Sequence, residues 1–107
     1  MWEDSREMLK SFNLDLLENR YPDICPECGS ADKHILFFRF DDEDGDGGVW
    51  MWCSKCHSYT HAHVMVPSAW KNPEFINEDE LDTSMDYLEK QKDMIDEWVN
   101  NLNRTRL

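Results

Sequence analysis

Two Cys-x-x-Cys motifs decide how this sequence folds: CPECG at residues 25–29 and CSKC at residues 53–56. A turn of this kind directs two sulfurs at one point, and the glycine after the first motif permits a tight turn. Two such turns complete a tetrahedron of sulfurs around one metal ion. The sequence therefore predicts a metal centre with four thiolate ligands: Cys25, Cys28, Cys53 and Cys56.

The segment between the two motifs has the pattern of a β-hairpin. Residues 35–40 (ILFFRF) and 49–52 (VWMW) are rich in aromatic and branched side chains, and an Asp- and Gly-rich run at 41–48 separates them. A third strand is predicted from Tyr59 to Val66, where side chains alternate between two faces. Because a hairpin returns the second motif to the first, the predicted strands support the predicted metal centre.

Residues 24–66 resemble a zinc ribbon, in which two cysteine knuckles hold one zinc ion. The resemblance implies a three-stranded antiparallel sheet and one structural Zn²⁺, since four sulfurs leave no position for a bound water. Iron in a rubredoxin-like site is the chemical alternative. His57, which follows the second motif, is an alternative ligand that we place beside the site. Disulfides and a thioredoxin-like pair fit less well, because neither a secretory signal nor a βαβ pattern is present.

Two helical patterns flank the ribbon within a predicted single domain over residues 1–107. One covers residues 3–19, and a longer one covers residues 79–102. The predicted fold class is α+β: a three-stranded antiparallel zinc ribbon flanked by an N-terminal helix and a long C-terminal helix. The longer pattern repeats apolar residues at seven- and four-residue spacing: Leu81, Met85, Leu88, Ile95, Val99 and Leu102. We expect this stripe to pack on the ribbon; a homodimer through the C-terminal helix is the alternative.

The chain is strongly acidic, with 23 Asp and Glu against 11 Lys and Arg and a net charge of −12. Nucleic-acid affinity needs many cations that neutralise phosphates, so a basic protein is favoured over nucleic acid as the partner. The candidate contacts lie in an acidic loop and along the C-terminal helix. They are Asp41, Asp42, Glu43, Asp44 and Asp46 in the loop, and Glu78, Asp82, Asp86, Glu89, Asp93 and Glu97 in the helix.

Three weaker patterns have ordinary structural explanations. The run from Asp42 to Gly47 matches the opening of a calcium loop, but the twelfth position is Cys53 rather than Glu. His61 and His63 share one strand face without a third ligand nearby, which favours surface or packed rings over a second metal. Trp50 and Trp52 share a face of the middle strand, and we favour core packing over an open interface for them.

Small size and negative charge make the chain similar to bacterial immunity and antitoxin proteins, which occupy the basic surface of a toxic nuclease. We therefore expect an acidic zinc-ribbon module that binds a basic protein, in its specific version an inhibitor of this type. The alternative is a zinc-ribbon adaptor in transcription or RNA handling that touches nucleic acid through Lys33, Arg39, Lys55 and the His-rich strand from Tyr59 to Val66.

No group of residues defines a catalytic site, so we expect no enzyme. No apolar run approaches the ~20 residues of a membrane-spanning helix, and the first residues are acidic and polar rather than typical of a signal peptide. These features predict a cytoplasmic protein without a membrane segment.

Overall fold

The computed structural model describes most of the chain, and every structural statement below concerns the described residues. They are residues 2–10, 20–41, 43, 45–66, 70–81 and 85–105. In chain order the elements are β1 (Glu3–Asp4), α1 (Arg6–Lys10), β2 (Lys33–Arg39), β3 (Asp46–Cys53), β4 (Ser58–Met65), a 3₁₀ turn (Glu78–Glu80), α2 (Met85–Lys90) and α3 (Lys92–Thr105). The fold class is α+β, as predicted.

The sheet has four strands in the order β1-β4-β3-β2, and it is mixed rather than purely antiparallel. The central hairpin pairs β2 with β3, and β3 pairs with β4, both antiparallel. The fourth strand, β1, lies parallel to β4, with Glu3 opposite Ser58. A sheet of three antiparallel strands alone was therefore an incomplete prediction, because the N-terminal segment extends it at the β4 edge.

The predicted N-terminal helix begins later than expected. Glu3 and Asp4 are paired with β4, and the helix starts only after Ser5, whose hydroxyl accepts a hydrogen bond from the Met8 N–H at 3.0 Å. This is an N-cap contact, which satisfies one of the N–H groups left unpaired at a helix start. The prediction of helix over residues 11–19 falls outside the described residues.

The predicted C-terminal helix is not continuous from 79 to 102. A short 3₁₀ turn precedes α2, and α2 ends before α3 begins at Lys92. At the junction the Gln91 N–H donates to the Leu88 carbonyl at 3.0 Å, a three-residue step that tightens the turn, and the Ile95 N–H then returns to the Gln91 carbonyl at 2.9 Å. The apolar stripe is therefore carried by two successive helices rather than one.

The predicted stripe packs inside the molecule. Leu88, Ile95 and Val99 are fully buried, and α3 packs against β2. Both faces of β2 and β3 are covered, so Trp50 and Trp52 are 2% and 0% exposed. The core explanation of the two tryptophans is thus correct, and the part of the stripe on α3 packs on the chain's own sheet.

Candidate metal centre

The four predicted cysteines form one cluster. Their sulfur atoms all lie within 4.8 Å of one another, and none of them is in a disulfide. The Cys25 and Cys56 sulfurs are 3.7 Å apart, as are the Cys28 and Cys53 sulfurs. A tetrahedron with metal–sulfur bonds of ~2.3 Å has edges of ~3.8 Å, whereas a disulfide bond is only ~2.05 Å long. The spacing therefore fits four sulfurs around one ion.

Each knuckle is built by the same backbone contacts. The Glu27 N–H donates to the Cys25 sulfur at 3.3 Å, and the Lys55 N–H donates to the Cys53 sulfur at 3.4 Å. The residue after each motif, Gly29 or His57, has a left-handed backbone with φ of 75° or 60°. The sequence signals this conformation at Gly29, but His57 adopts it without the freedom of glycine.

The sheet brings the two knuckles together. Lys33 opens β2 directly opposite Cys53, the last residue of β3. Just beyond this pair, the Ser54 N–H donates to the Asp32 carbonyl at 3.0 Å. The first knuckle is tied to the same strand, because Asp23 and Lys33 exchange two backbone hydrogen bonds. The hairpin register therefore sets the distance between the two sulfur pairs.

Burial and hydrogen bonds shift the pKa values of two thiols of the cluster in opposite directions. Burial raises the pKa of the Cys25 thiol to about 12, because the charged form is poorly solvated there. Hydrogen bonds from Ser30 lower the pKa of the Cys28 thiol to about 6. A divalent ion at the centre of the cluster would favour all four thiolates and compensate for the buried charge.

Hydroxyl groups stand beside the two exposed cysteines. The Ser30 hydroxyl lies 3.1 Å from the Cys28 sulfur, and the Ser58 hydroxyl lies 3.3 Å from the Cys56 sulfur. Each serine is two residues beyond its cysteine, so this support could have been found from the spacing in the sequence. Such outer contacts orient metal ligands and tune their charge.

The donor set fits a structural ion. Four sulfurs at tetrahedral spacing complete the coordination sphere of zinc or of iron, and they leave no open position for a substrate. His57 is not in the cluster; its ring stacks on Trp2 at a centroid distance of 4.4 Å. This agrees with its prediction as a neighbour of the site. The four residues can hold one metal ion, compatible with structural zinc.

A buried polar network next to the second knuckle was missed by the sequence analysis. The two nitrogens of His34 contact Asp96 and the Ser54 hydroxyl, each at 2.8 Å. The Ser54 hydroxyl donates to Glu89 at 2.9 Å, and Glu89 also accepts from the Trp52 indole at 3.2 Å. These residues are far apart in the chain, and only the folded structure brings them together.

The network contains a serine, a histidine and an aspartate, but its hydrogen bonds oppose a nucleophilic serine. A general base must remove the hydroxyl proton, whereas the Ser54 hydroxyl donates to Glu89, and His34 Nε2 lies 2.8 Å from the same oxygen. Asp96 and His34 are both buried, and burial raises the pKa of the Asp96 carboxyl. The network therefore joins the second knuckle to α2 and α3 as a structural support.

The residues predicted to contact a partner occupy several environments. Asp41 and Glu43 are exposed at the hairpin loop, and Asp46 is half-buried and paired with His63. Asp42, Asp44 and Asp82 lie outside the described residues. Glu78, Asp86, Asp93 and Glu97 are exposed.

Glu89 does not share that exposed surface. It is held by Trp52, Ser54 and Lys92, with the Lys92 ammonium 2.9 Å from its carboxylate. The helical spacing of acidic residues placed Glu89 on one face with the others, but its contacts with Trp52 and Ser54 hold its carboxylate against the end of β3. We therefore leave Glu89 out of the proposed partner surface.

No protein-family model, curated protein or solved structure matches the chain. Among the described residues there is no helix long and apolar enough to cross a bilayer.

Proposed function

We propose that the protein is a metal-stabilised module that binds a basic partner protein. The observation that carries this proposal is the charge of the exposed surface. Among the described residues, thirteen exposed carboxylates face solvent against six exposed Lys and Arg side chains. A surface of this sign attracts a cationic protein and accelerates its association, and the attraction falls as salt rises.

In this proposal the ion is one structural Zn²⁺ and the unit is a zinc ribbon extended by β1. The four-sulfur cluster is compatible with zinc, and structural zinc sites contribute directly to folding free energy. The metal would therefore hold the acidic surface in shape rather than take part in a reaction. We accordingly propose no enzymatic activity for this site.

The specific version is an immunity or antitoxin-type inhibitor. Such a protein covers the cationic surface with which a nuclease holds its substrate, so inhibition requires no chemistry. The acidic residues Asp41 and Glu43 on the loop, and Asp93 and Glu97 on α3, supply the carboxylates for this role.

The alternative, an adaptor that contacts nucleic acid, has less support in the described residues. Lys33 is only 3% exposed, and its ammonium lies 3.9 Å from the Asp23 carboxylate. The Arg39 guanidinium donates to the Trp70 carbonyl at 3.3 Å. Of the three cations predicted to touch phosphates, Lys55 is the exposed one. One exposed cation among the three predicted contacts gives this site little counterion-driven affinity.

The test is capture of partners from an extract of the source cell on the immobilised, metal-loaded protein, at low and at high salt. We expect a discrete basic protein that is released as salt rises, and purified partner must bind the protein again in isolation. Binding of generic DNA or RNA at low salt is measured in parallel.

Charge and metal provide the controls. A variant in which Asp93 and Glu97 become Asn and Gln keeps the metal site and is expected to bind less tightly. Metal-free protein is expected to lose the partner. Retention of nucleic acid would contradict the proposal. So would a partner whose affinity changes neither with salt nor with these substitutions.

A further inference from the structure

An exposed apolar surface lies at the hairpin end of the sheet, far along the strands from the cysteines. We call it the tip surface and define it by four side chains on one face of the sheet: Phe40, His61, His63 and Met65. Sheet register places them together. Asp46 pairs with Met65, Gly48 with His63, and Trp50 with His61. Phe40 joins the row of Asp46, because its N–H donates to the Asp46 carbonyl at 2.9 Å.

Ring contacts confirm that these residues share a face. The His61 ring stacks on Trp50 at 4.2 Å with the two planes only 11° apart. The Phe40 ring lies 6.4 Å from Trp50 and 5.6 Å from Phe38. The buried Trp50 therefore packs beneath Phe40 and His61 and supports the tip surface.

The tip surface exposes two large apolar side chains to solvent. Phe40 is 48% exposed and Met65 is 65% exposed, and they flank Asp46 on neighbouring strands. The other two large exposed hydrophobic residues among those described, Ile24 and Met94, are placed elsewhere in the chain. Phenylalanine and methionine are enriched in the buried centres of protein interfaces. Two of them on one supported face indicate a binding surface.

Charge identifies the partner that this surface fits. Exposed Asp41 and Glu43 lie shortly after Phe40 in the hairpin loop, and Asp46, which is paired with His63, lies between the two apolar side chains. An apolar centre with a carboxylate rim is complementary to a segment that carries an apolar side chain beside Arg or Lys. A second copy of this chain would bring its own acidic rim, and an oligonucleotide would bring phosphates, so both would be repelled.

We propose that the tip surface docks a basic segment of a partner protein, with one apolar side chain of that segment between Phe40 and Met65 and its cations on the acidic rim. This inference rests on the proposed function and gives that function a location. The surface that matters is the hairpin end of the sheet, and the carboxylates of α3 contribute attraction at a distance.

The test uses two synthetic peptides and the metal-loaded full chain. One peptide is built from Arg-Phe-Arg-Ser repeats, and the matched peptide is built from Arg-Ser repeats. Each is titrated into protein with labelled methionine methyl groups and backbone amides, followed by NMR. We expect the Phe-containing peptide to bind roughly tenfold more tightly. The shifts should centre on Phe40, His61 and His63 amides and on the Met65 methyl.

Matched substitutions separate the tip surface from exposed apolar residues in general. Phe40→Ser and Met65→Ser are each expected to remove most of the preference for the Phe-containing peptide. Ile24→Ser and Met94→Ser change side chains of similar exposure, 57% and 49%, and should leave the preference intact. Met65 is the most exposed of the four residues substituted here, at 65%, so its replacement should disturb the fold least. Met65→Ser therefore still tests the proposal if Phe40→Ser weakens the fold.

The outcomes distinguish this inference from the proposed function. Binding of both peptides with equal affinity, or shifts centred on α3, would overturn the tip surface and leave a basic partner in place. No binding of either peptide would count against both proposals. Concentration-dependent shifts of the tip surface without peptide, or shifts caused by single-stranded RNA, would assign it to self-association or to nucleic acid and overturn the inference.

Discussion

Removal of the metal ion, or replacement of Cys53 with Ser, is expected to unfold most of the chain. Cys53 is fully buried at the end of β3, and its sulfur lies 3.7 Å from that of Cys28. Without the ion, nothing joins these sulfurs, and protons must replace the metal on thiols that are partly buried. The two knuckles would then separate.

The magnitude follows from comparing two free energies. A structural zinc site supplies about 10–16 kcal/mol of apparent binding free energy near neutral pH. At about 0.05–0.15 kcal/mol per residue, a chain of 107 residues has a total stability of about 5–16 kcal/mol. The ion is therefore worth as much as the whole fold. Cys53→Ser is expected to cost at least about 4–5 kcal/mol, the range associated with loss of a metal.

Tryptophan fluorescence measures the result. Trp50, Trp52 and Trp70 are at most 2% exposed, so unfolding moves their emission to longer wavelength. Emission is recorded for metal-loaded protein, for protein treated with a strong chelator and for Cys53→Ser. Elemental analysis of the loaded protein is expected to find one ion per chain.

A charge variant provides the control. Replacing Asp42, Asp44 and Asp46 together with Asn changes the acidic loop and leaves the sulfurs untouched, so native emission and metal content are expected to remain. Metal-free protein with native emission, or loaded protein without an ion, would refute the reasoning. Equal losses in the loop variant and in Cys53→Ser would show that the loop is structural as well.

Four further predictions concern single residues. Gly29→Ala is expected to cost about 1–2 kcal/mol in thermal unfolding, since its φ of 75° is left-handed while an added Cβ meets no atom. Gly47→Ala should cost more than Gly29→Ala, because its Cβ would collide with the backbone carbonyl oxygen of Phe38 on β2; an equal loss would contradict the close approach. Asp96→Asn is expected to lower stability in urea by about 1–3 kcal/mol by depriving His34 of its carboxylate, and an unchanged midpoint would mean that the pair is unimportant. Lys33→Met should raise the melting temperature at neutral pH, since burial lowers the pKa of Lys33 and its charged form is costly to bury. The difference in melting temperature between the variant and wild type should shrink as pH rises through the lowered pKa, where the folded wild type loses the charge. A difference that grows with pH would contradict this reasoning.

The cysteine cluster and the central strands could be predicted because their signals are local. Each motif fixes two sulfurs by itself, and the aromatic run at 35–40 and the alternation after Tyr59 define strands without reference to the rest of the chain. The prediction of one metal centre needed only the further step that a hairpin brings the second motif back beside the first.

Other features depend on contacts between distant residues. β1 is two residues long, too short for any periodicity, and it exists because the edge of β4 lies next to it. The apolar stripe of the C-terminal segment has one polar entry, Lys92, and resumes at Ile95 with the same spacing, so the spacing alone does not show a break at Gln91. His34 and Asp96 are 62 positions apart, and neither has a motif around it.

Ser54 links the second knuckle to the two C-terminal helices. It follows a sulfur ligand, and its hydroxyl is held both by Glu89 on α2 and by His34, which in turn contacts Asp96 on α3. Loosening of the knuckle would therefore release both C-terminal helices together. Amide protons of α3 and of β3 are expected to exchange with solvent at matching rates. Both rates should rise by the same factor when a chelator removes the metal ion.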